Sequence, residues 1–296
     1  MEVAYYPGCS LHATAKEFDL STRAVCGALG LKLVEIEDWN CCGATADHAM
    51  SDDLAVGLAG RNLALAARQG MTAVLAPCAA CFGRLKHAAK ALAAGAGELP
   101  DDLDDQAAAA VKVYNILDAL LHLVGVERLQ EQVTKPISGL RPAAYYGCLL
   151  VRPPEIAEFD DPENPTSMER ILGAVGAEPV EWYHKVECCG ASLAVTNTPS
   201  AVRLVADILT HAQSAGANCV AVACPMCQTN LDTRQAAAGQ RSGAELDLPI
   251  LYITELVGLA LGLDPKQLGL GRHIVDATRL VKVAFEHPEQ PAAAGG

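Results

Sequence analysis

Ten of the twelve cysteines in this 296-residue chain fall into one pattern that occurs twice. The first copy is Cys9, then the adjacent Cys41 and Cys42, then Cys78 and Cys81 in a Cys-x-x-Cys. The second is Cys148, then Cys188 and Cys189, then Cys224 and Cys227. The gaps between groups are 31 and 35 residues in the first copy and 39 and 34 in the second. The flanks repeat as well: VAYYPGC (3–9) against AAYYGC (143–148), NCCGA (40–44) against ECCGA (187–191), and AVLAPCAAC (73–81) against VAVACPMC (220–227). A duplicated five-thiol pattern points to thiolate coordination of metal or to redox chemistry. Cys26 and Cys219 stand outside the pattern and read as small buried hydrophobes.

Several chemistries compete for five thiols. Structural zinc takes four ligands, often from two local Cys-x-x-Cys pairs, whereas each copy here has one such pair. A thioredoxin-like dithiol would use Cys78/Cys81 or Cys224/Cys227 but leaves the Cys-Cys pairs and the duplication unexplained. A ferredoxin cluster takes a compact Cys-x-x-Cys-x-x-Cys run, which is absent. Iron–sulfur clusters accept thiolates from distant loops, and five thiolates suit a cluster of unusual shape. The side chains of neighbouring residues diverge, so Cys41-Cys42 and Cys188-Cys189 suit a group several ångströms across better than a single ion. Gly43 and Gly190 then read as positions where the backbone turns tightly. His12 and His184, near Cys9 and Cys188, read as polar neighbours of the thiols. No catalytic residue is assigned beyond the cysteines.

The elements that must carry these thiols also repeat. Val3–Tyr6 and Ala143–Tyr146 are short β-prone runs ending at the first cysteine of each copy. Helical periodicity follows at Leu20–Leu29 and Ser167–Val175. Leu31–Glu37 alternates as a strand, with Glu178–Tyr183 as its expected counterpart. Helices are expected over 52–69 and 200–215. Apolar strands at Thr72–Ala76 and Cys219–Ala223 run into each Cys-x-x-Cys, and Lys112–Ile116 and Pro249–Ile253 close each half before an apolar helix. Strands alternating with helices predict an α/β chain of two pseudo-symmetric repeats, each a small parallel, Rossmann-like sheet. The stretches 95–110 and 152–166 read as surface loops or short acidic helix starts. The expected units are 1–139 and 140–287, joined near Thr134–Pro142, with 288–296 a disordered tail. Loops at the strand ends would present each five-thiol set at one sheet edge, where α/β proteins bind ligands.

Composition narrows the partners. The chain is 51% hydrophobic and 19% charged, too apolar for disorder. With 22 basic and 35 acidic residues its net charge is −13, which argues against nucleic acid or an anionic membrane as main partner. No signal-peptide pattern marks the N-terminus, and no apolar run is long enough to span a bilayer. The expected location is cytoplasmic, where thiols stay reduced. No G-x-G-x-x-G follows a strand, so nicotinamide binding has no support.

With these motifs in place, the sequence resembles the CCG-domain proteins over nearly its whole length, in particular the B-type subunit of heterodisulfide reductase and its bacterial relatives. The segments that carry the resemblance are YYPGCSLHATAKEFDLS, DWNCCGA, APCAACFGRLK, YYGCLLVRP and CPMCQTNLD. The resemblance implies two noncubane [4Fe–4S] clusters. One would be held by Cys9, Cys41, Cys42, Cys78 and Cys81, the other by Cys148, Cys188, Cys189, Cys224 and Cys227. It implies a catalytic component of a multisubunit complex that reduces or forms a disulfide or sulfane bond between the clusters, on a substrate that is free or attached to a carrier. Its implied partners are a ferredoxin-like iron–sulfur subunit with two cubane clusters and the flavin subunit that feeds it electrons. The alternatives are an electron-relay CCG subunit of a succinate, lactate or glycolate oxidoreductase, and a zinc-stapled scaffold subunit.

Overall fold

The structure is a computed structural model, and it describes residues 1–44, 51–97 and 99–286. The expected tail at 288–296 lies outside the described residues. The first half runs β1 (Glu2–Tyr5), α1 (Gly8–Ala13), α2 (Lys16–Ala28), β2 (Lys32–Glu35), α3 (Asp52–Arg68), β3 (Ala73–Leu75), α4 (Ala79–Ala93), α5 (Asp105–Ala109) and β4 (Lys112–Tyr114). A helical stretch follows, made of α6 (Ile116–Asp118), a π-helical segment over Ala119–Val124, and α7 (Val126–Glu131). The second half runs β5 (Pro142–Tyr145), α8 (Pro154–Ala157), α9 (Ser167–Ala174), α10 (Thr198–Ser214), β6 (Cys219–Val222), α11 (Pro225–Thr233), α12 (Gln235–Ser242), β7 (Ile250–Tyr252), α13 (Ile253–Ala260) and α14 (Pro265–Leu268). The helix α15 (Thr278–Glu286) completes the described chain.

Both sheets are parallel, with strand orders β2-β1-β3-β4 and β5-β6-β7. Strands β3, β5, β6 and β7 are short apolar runs buried on both faces, as a parallel sheet covered by helices requires. Helix α3 starts where the Ser51 hydroxyl accepts the Leu54 N–H, and α10 where Asn197 caps Ser200. Along α3, Ala55, Val56, Ala59, Leu63 and Ala66 form the buried stripe.

One expected strand is not a strand. Glu178–Tyr183 runs beside β5, and its backbone donates from Glu178 to Leu140 O and from Val180 to Pro142 O, both at 3.0 Å. Pro179 has no N–H to contribute. At the next step the Ala144 carbonyl is taken by the Trp182 indole Nε1–H at 3.0 Å. A side-chain donor thus stands where a ladder bond would continue, and the second sheet has three strands.

The halves interlock. Helices α13 and α14 of the second half pack on α2 of the first, while α6 and α7 pack on α9. Phe18 stacks on Tyr252 with ring centroids 4.1 Å apart and planes within 5°. Ser21 and Thr254 share a buried 2.6 Å hydrogen bond. The Thr134 and Lys135 N–H groups both donate to Ala260 O, so the connecting segment is itself fastened to the second half.

Candidate metal centre

The three thiol groups of each half emerge at the C-terminal side of its sheet. Cys9 lies in the first turn of α1, directly after β1, and Cys78 caps α4 after β3. Cys148 follows β5, and Cys224 caps α11 after β6. Cys81 and Cys227 sit one turn into those helices. The first Cys-Cys pair leaves β2, whereas the second leaves the irregular segment beside β5. In the first sheet β1 and β3 flank the point where strand order reverses, so Cys9 and Cys78 open onto the crevice that such a reversal creates.

Within each half the same thiols meet. Cys42 Sγ lies 3.4 Å from Cys81 Sγ, and Cys189 Sγ lies 3.7 Å from Cys227 Sγ. Cys9 is within hydrogen-bonding reach of Cys41, and Cys148 of Cys188. Cys78 reaches Cys81, and Cys224 reaches Cys227. Across the halves, Cys78 and Cys224 lie near enough to shift each other's acidity, which brings the two groups together. Cys42, Cys78, Cys81, Cys189, Cys224 and Cys227 are buried, while Cys9, Cys41 and Cys188 are exposed and Cys148 is half-buried. All twelve cysteines are free thiols.

The thiol contacts set acidities. A hydrogen bond from Cys81 holds Cys42 down at about 7, and one from Cys148 holds Cys188 down at about 6. The partners shift the other way, each pushed up by the hydrogen bond it supplies and by burial. Cys26 and Cys219 are fully buried, and burial pushes each up to about 12. They behave as the small hydrophobes expected of them.

Backbone features repeat with the thiols. Gly8 (φ +62°) and Gly147 (φ +66°) sit just before the first cysteine of each copy. A Cβ on Gly8 would stand 3.0 Å from Cys81 Sγ, and one on Gly147 would stand 2.8 Å from Cys227 Sγ. Gly43 and Gly190 are left-handed at +74° and +78°, as the tight turn after each Cys-Cys demands.

The tyrosines were missed by reasoning from sequence. The Tyr6 hydroxyl donates to Asn40 O at 2.7 Å, and the Tyr145 hydroxyl donates to Glu187 O at 2.6 Å. Each ties the residue before a Cys-Cys pair to the end of the first strand of its sheet. The available signal was a tyrosine three positions before the first cysteine in both copies. Asn230 adds a clamp, its Nδ2 donating to Cys189 O at 2.6 Å. His12 is exposed with its ring edge against Trp39, and His184 is paired with Glu187 at 2.8 Å beside the His211 ring.

Among the described residues, no three His, Cys, Asp or Glu side chains are gathered into a site for one metal ion. The thiols instead approach in pairs from three loops per half. That donor set, with glycines where a side chain would press on the sulfurs, suits a thiolate-bound group larger than an ion. Two parallel-sheet halves with five thiols at each sheet edge define a duplicated thiolate protein of the α/β class.

The chain belongs to the CCG cysteine-rich domain family, whose profile matches residues 3–86 and 143–232. It is 36% identical over 282 residues to the 8-methylmenaquinol:fumarate reductase membrane anchor subunit of Wolinella succinogenes, covering 94% of this chain and 99% of that one. It is 26% identical over 296 residues to the B-type subunit of the ferredoxin/F420H2-dependent CoB-CoM heterodisulfide reductase of Methanosarcina acetivorans, covering 96% and 97%. A protein of Archaeoglobus profundus that is itself like the B-type subunit of heterodisulfide reductase is 24% identical over 291 residues, covering 95% and 97%. Among solved structures, a hypothetical protein from Helicobacter pylori superposes with a TM-score of 0.65 at 13% identity. The match covers 94% of this chain but about half (52%) of that one, and it shows a shared fold. The relatives are components of multisubunit reductases. Among the described residues, no helix is long and apolar enough to cross a membrane.

Proposed function

We propose that the chain is the iron–sulfur electron carrier of a multisubunit oxidoreductase of the fumarate or succinate type. It would hold one noncubane [4Fe–4S] cluster in each half. Cys9, Cys41, Cys42, Cys78 and Cys81 would hold the first, and Cys148, Cys188, Cys189, Cys224 and Cys227 the second. When bound, the clusters supply one-electron oxidation and reduction. The observation that carries the reading is the layout of the thiols. Each group runs from exposed thiols at the surface to buried ones at the Cys78–Cys224 approach. Electrons taken from one partner protein would have a continuous course to another, with no bond made or broken in this chain. The 36% identity to a fumarate reductase component, over almost both full lengths, supports this reading.

The chain's own residues do the positioning. Tyr6 and Tyr145 hold the two Cys-Cys loops, Gly8 and Gly147 leave room for the Cys81 and Cys227 sulfurs, and burial keeps water from the inner thiols. The partners in this reading are a flavoprotein and a ferredoxin-like iron–sulfur protein of the same complex, and the compartment is the cytoplasmic side of the cell.

A second reading has its own support. Both five-thiol groups are complete and approach each other at Cys78 and Cys224, as two-electron cleavage of a disulfide between two clusters would need, and several relatives belong to heterodisulfide reductases. One experiment separates the readings. Protein purified anaerobically should carry about eight irons. Adding a small alkyl disulfide to the oxidised protein should leave its electron paramagnetic resonance spectrum unchanged if the chain is a relay. A substrate-dependent change in the cluster signal would favour disulfide chemistry. Zinc with negligible iron would refute both.

A further inference from the structure

Tyr252 ends β7 and caps α13, beside Val222 in the β6–β7 register and so two residues from Cys224. Its ring is wholly buried, flat against Phe18 of the other half. Its hydroxyl has no hydrogen-bond partner among the described residues. Leaving a buried hydroxyl unpaired costs about 1–3 kcal/mol, so such a group in a well-packed core calls for an absent partner.

Glu17, the neighbour whose charge acts most on the phenol, makes no hydrogen bond to it, and the other polar neighbours are already engaged. The Tyr252 N–H donates to Glu255 Oε2 at 2.8 Å, and His273 Nε2–H donates to Glu255 Oε1 at 2.8 Å. Gln228 Nε2 meets His273 Nδ1 at 2.9 Å, and the Asp232 carboxylate accepts the N–H groups of Ile274 and Val275. Four polar side chains thus satisfy one another and leave one donor over. Burial, then the charges of Glu17, Glu255, Cys224 and Cys78, holds the phenol well above its ordinary pKa, so it is neutral and able to donate. The two thiols among those charges are Cys78 of the first set and Cys224 of the second. The first half has a counterpart: Asn115 caps the helix after β4, is fully buried, and keeps its Nδ2 unpartnered while its Oδ1 caps Asp118.

We infer that Tyr252 is a positioning residue whose hydroxyl donates a hydrogen bond to sulfur of the cluster group at the Cys78–Cys224 junction and so sets its reduction potential. The inference rests on the cluster reading above. A donor to sulfur stabilises the more negative, reduced form and raises the potential. Tyr252→Phe keeps the ring and its stacking on Phe18 and removes only the donor.

The test is a redox titration of the reconstituted full chain, followed by electron paramagnetic resonance. Expected for Tyr252→Phe is full iron with the reduction equilibrium of one cluster about tenfold less favourable, which is about 59 mV for a one-electron step. Resonance Raman should agree: part of the shift of the iron–sulfur bands on transfer to D2O should be lost. Full iron with parental potentials and an undiminished D2O shift would overturn the inference while leaving the clusters standing. A parent chain without iron would instead refute the reading beneath it.

Discussion

Gly147→Ala adds one methyl group at the edge of the second thiol set, and the structure fixes where it goes. At φ +66° an alanine is in the left-handed region, which costs about 1–2 kcal/mol. The new Cβ would also stand 2.8 Å from Cys227 Sγ, far inside an ordinary contact of about 3.5–4.0 Å. Cys227 is one turn into α11 and buried, so its sulfur relieves the clash only by rotating off its place. Overpacking of this kind adds about 1–3 kcal/mol. Gly216→Ala carries the first effect alone, since Gly216 has φ +84° and nothing within 4 Å of its Cβ position. It should lose only the backbone contribution, a fall in melting temperature of about 2–8 °C for a chain of this size. Gly147→Ala should melt lower still and, once reconstituted, carry about four irons rather than about eight, with the second-half signal missing. Gly8→Ala, 3.0 Å from Cys81 Sγ, should deplete the first half instead. Iron content and electron paramagnetic resonance decide the matter. If Gly147→Ala and Gly216→Ala bind equal iron and melt alike, the glycines do not serve the thiol sets and the reasoning is wrong.

Cys42→Ala and Cys189→Ala should each lose or convert the cluster of their own half and keep the other, measured as iron per chain; loss of first-half iron in Cys189→Ala would overturn the division into two sets. Cys26→Ala and Cys219→Ala should keep full iron, at a stability cost of about 1 kcal/mol each for a small core truncation. These two thiols also predict a pH effect. Their folded pKa is raised from 9.0 to about 12, so between those values the unfolded chain has lost a proton that the folded chain retains, and stability falls as pH rises. Each thiol contributes about 1.4 kcal/mol per pH unit there, so the double alanine variant should show a flatter alkaline denaturation profile in chemical melts. Tyr145→Phe removes the bond to Glu187 O and should cost about 0.5–1.5 kcal/mol by urea titration; the second-half cluster should also lose iron faster to a chelator than the first.

The duplication, the parallel α/β class and the grouping of ten cysteines are all legible in the chain, because each is written locally. Apolar runs of strand length, helical periodicity and a cysteine at the end of each run suffice to say that thiols gather at sheet edges. The same local logic separates Cys26, inside a helix, and Cys219, which opens a strand rather than following its C-terminal end. It fails at Glu178–Tyr183, where apolar alternation favours a strand but Pro179 and the Trp182 indole interrupt the ladder. Which thiols touch is a matter of tertiary packing. That Cys42 meets Cys81, Cys189 meets Cys227, and Cys78 comes near Cys224 across the halves depends on strand order and on α2 and α9 taking helices from the opposite half. Those contacts join residues about forty to a hundred and fifty positions apart, and no local pattern encodes a distance of that kind. The unpaired hydroxyl of Tyr252 belongs to the same category. A tyrosine at a strand end is ordinary in sequence, and it becomes informative only when packing has buried it on the strand next to the one that leads into Cys224 and left its hydroxyl without a partner.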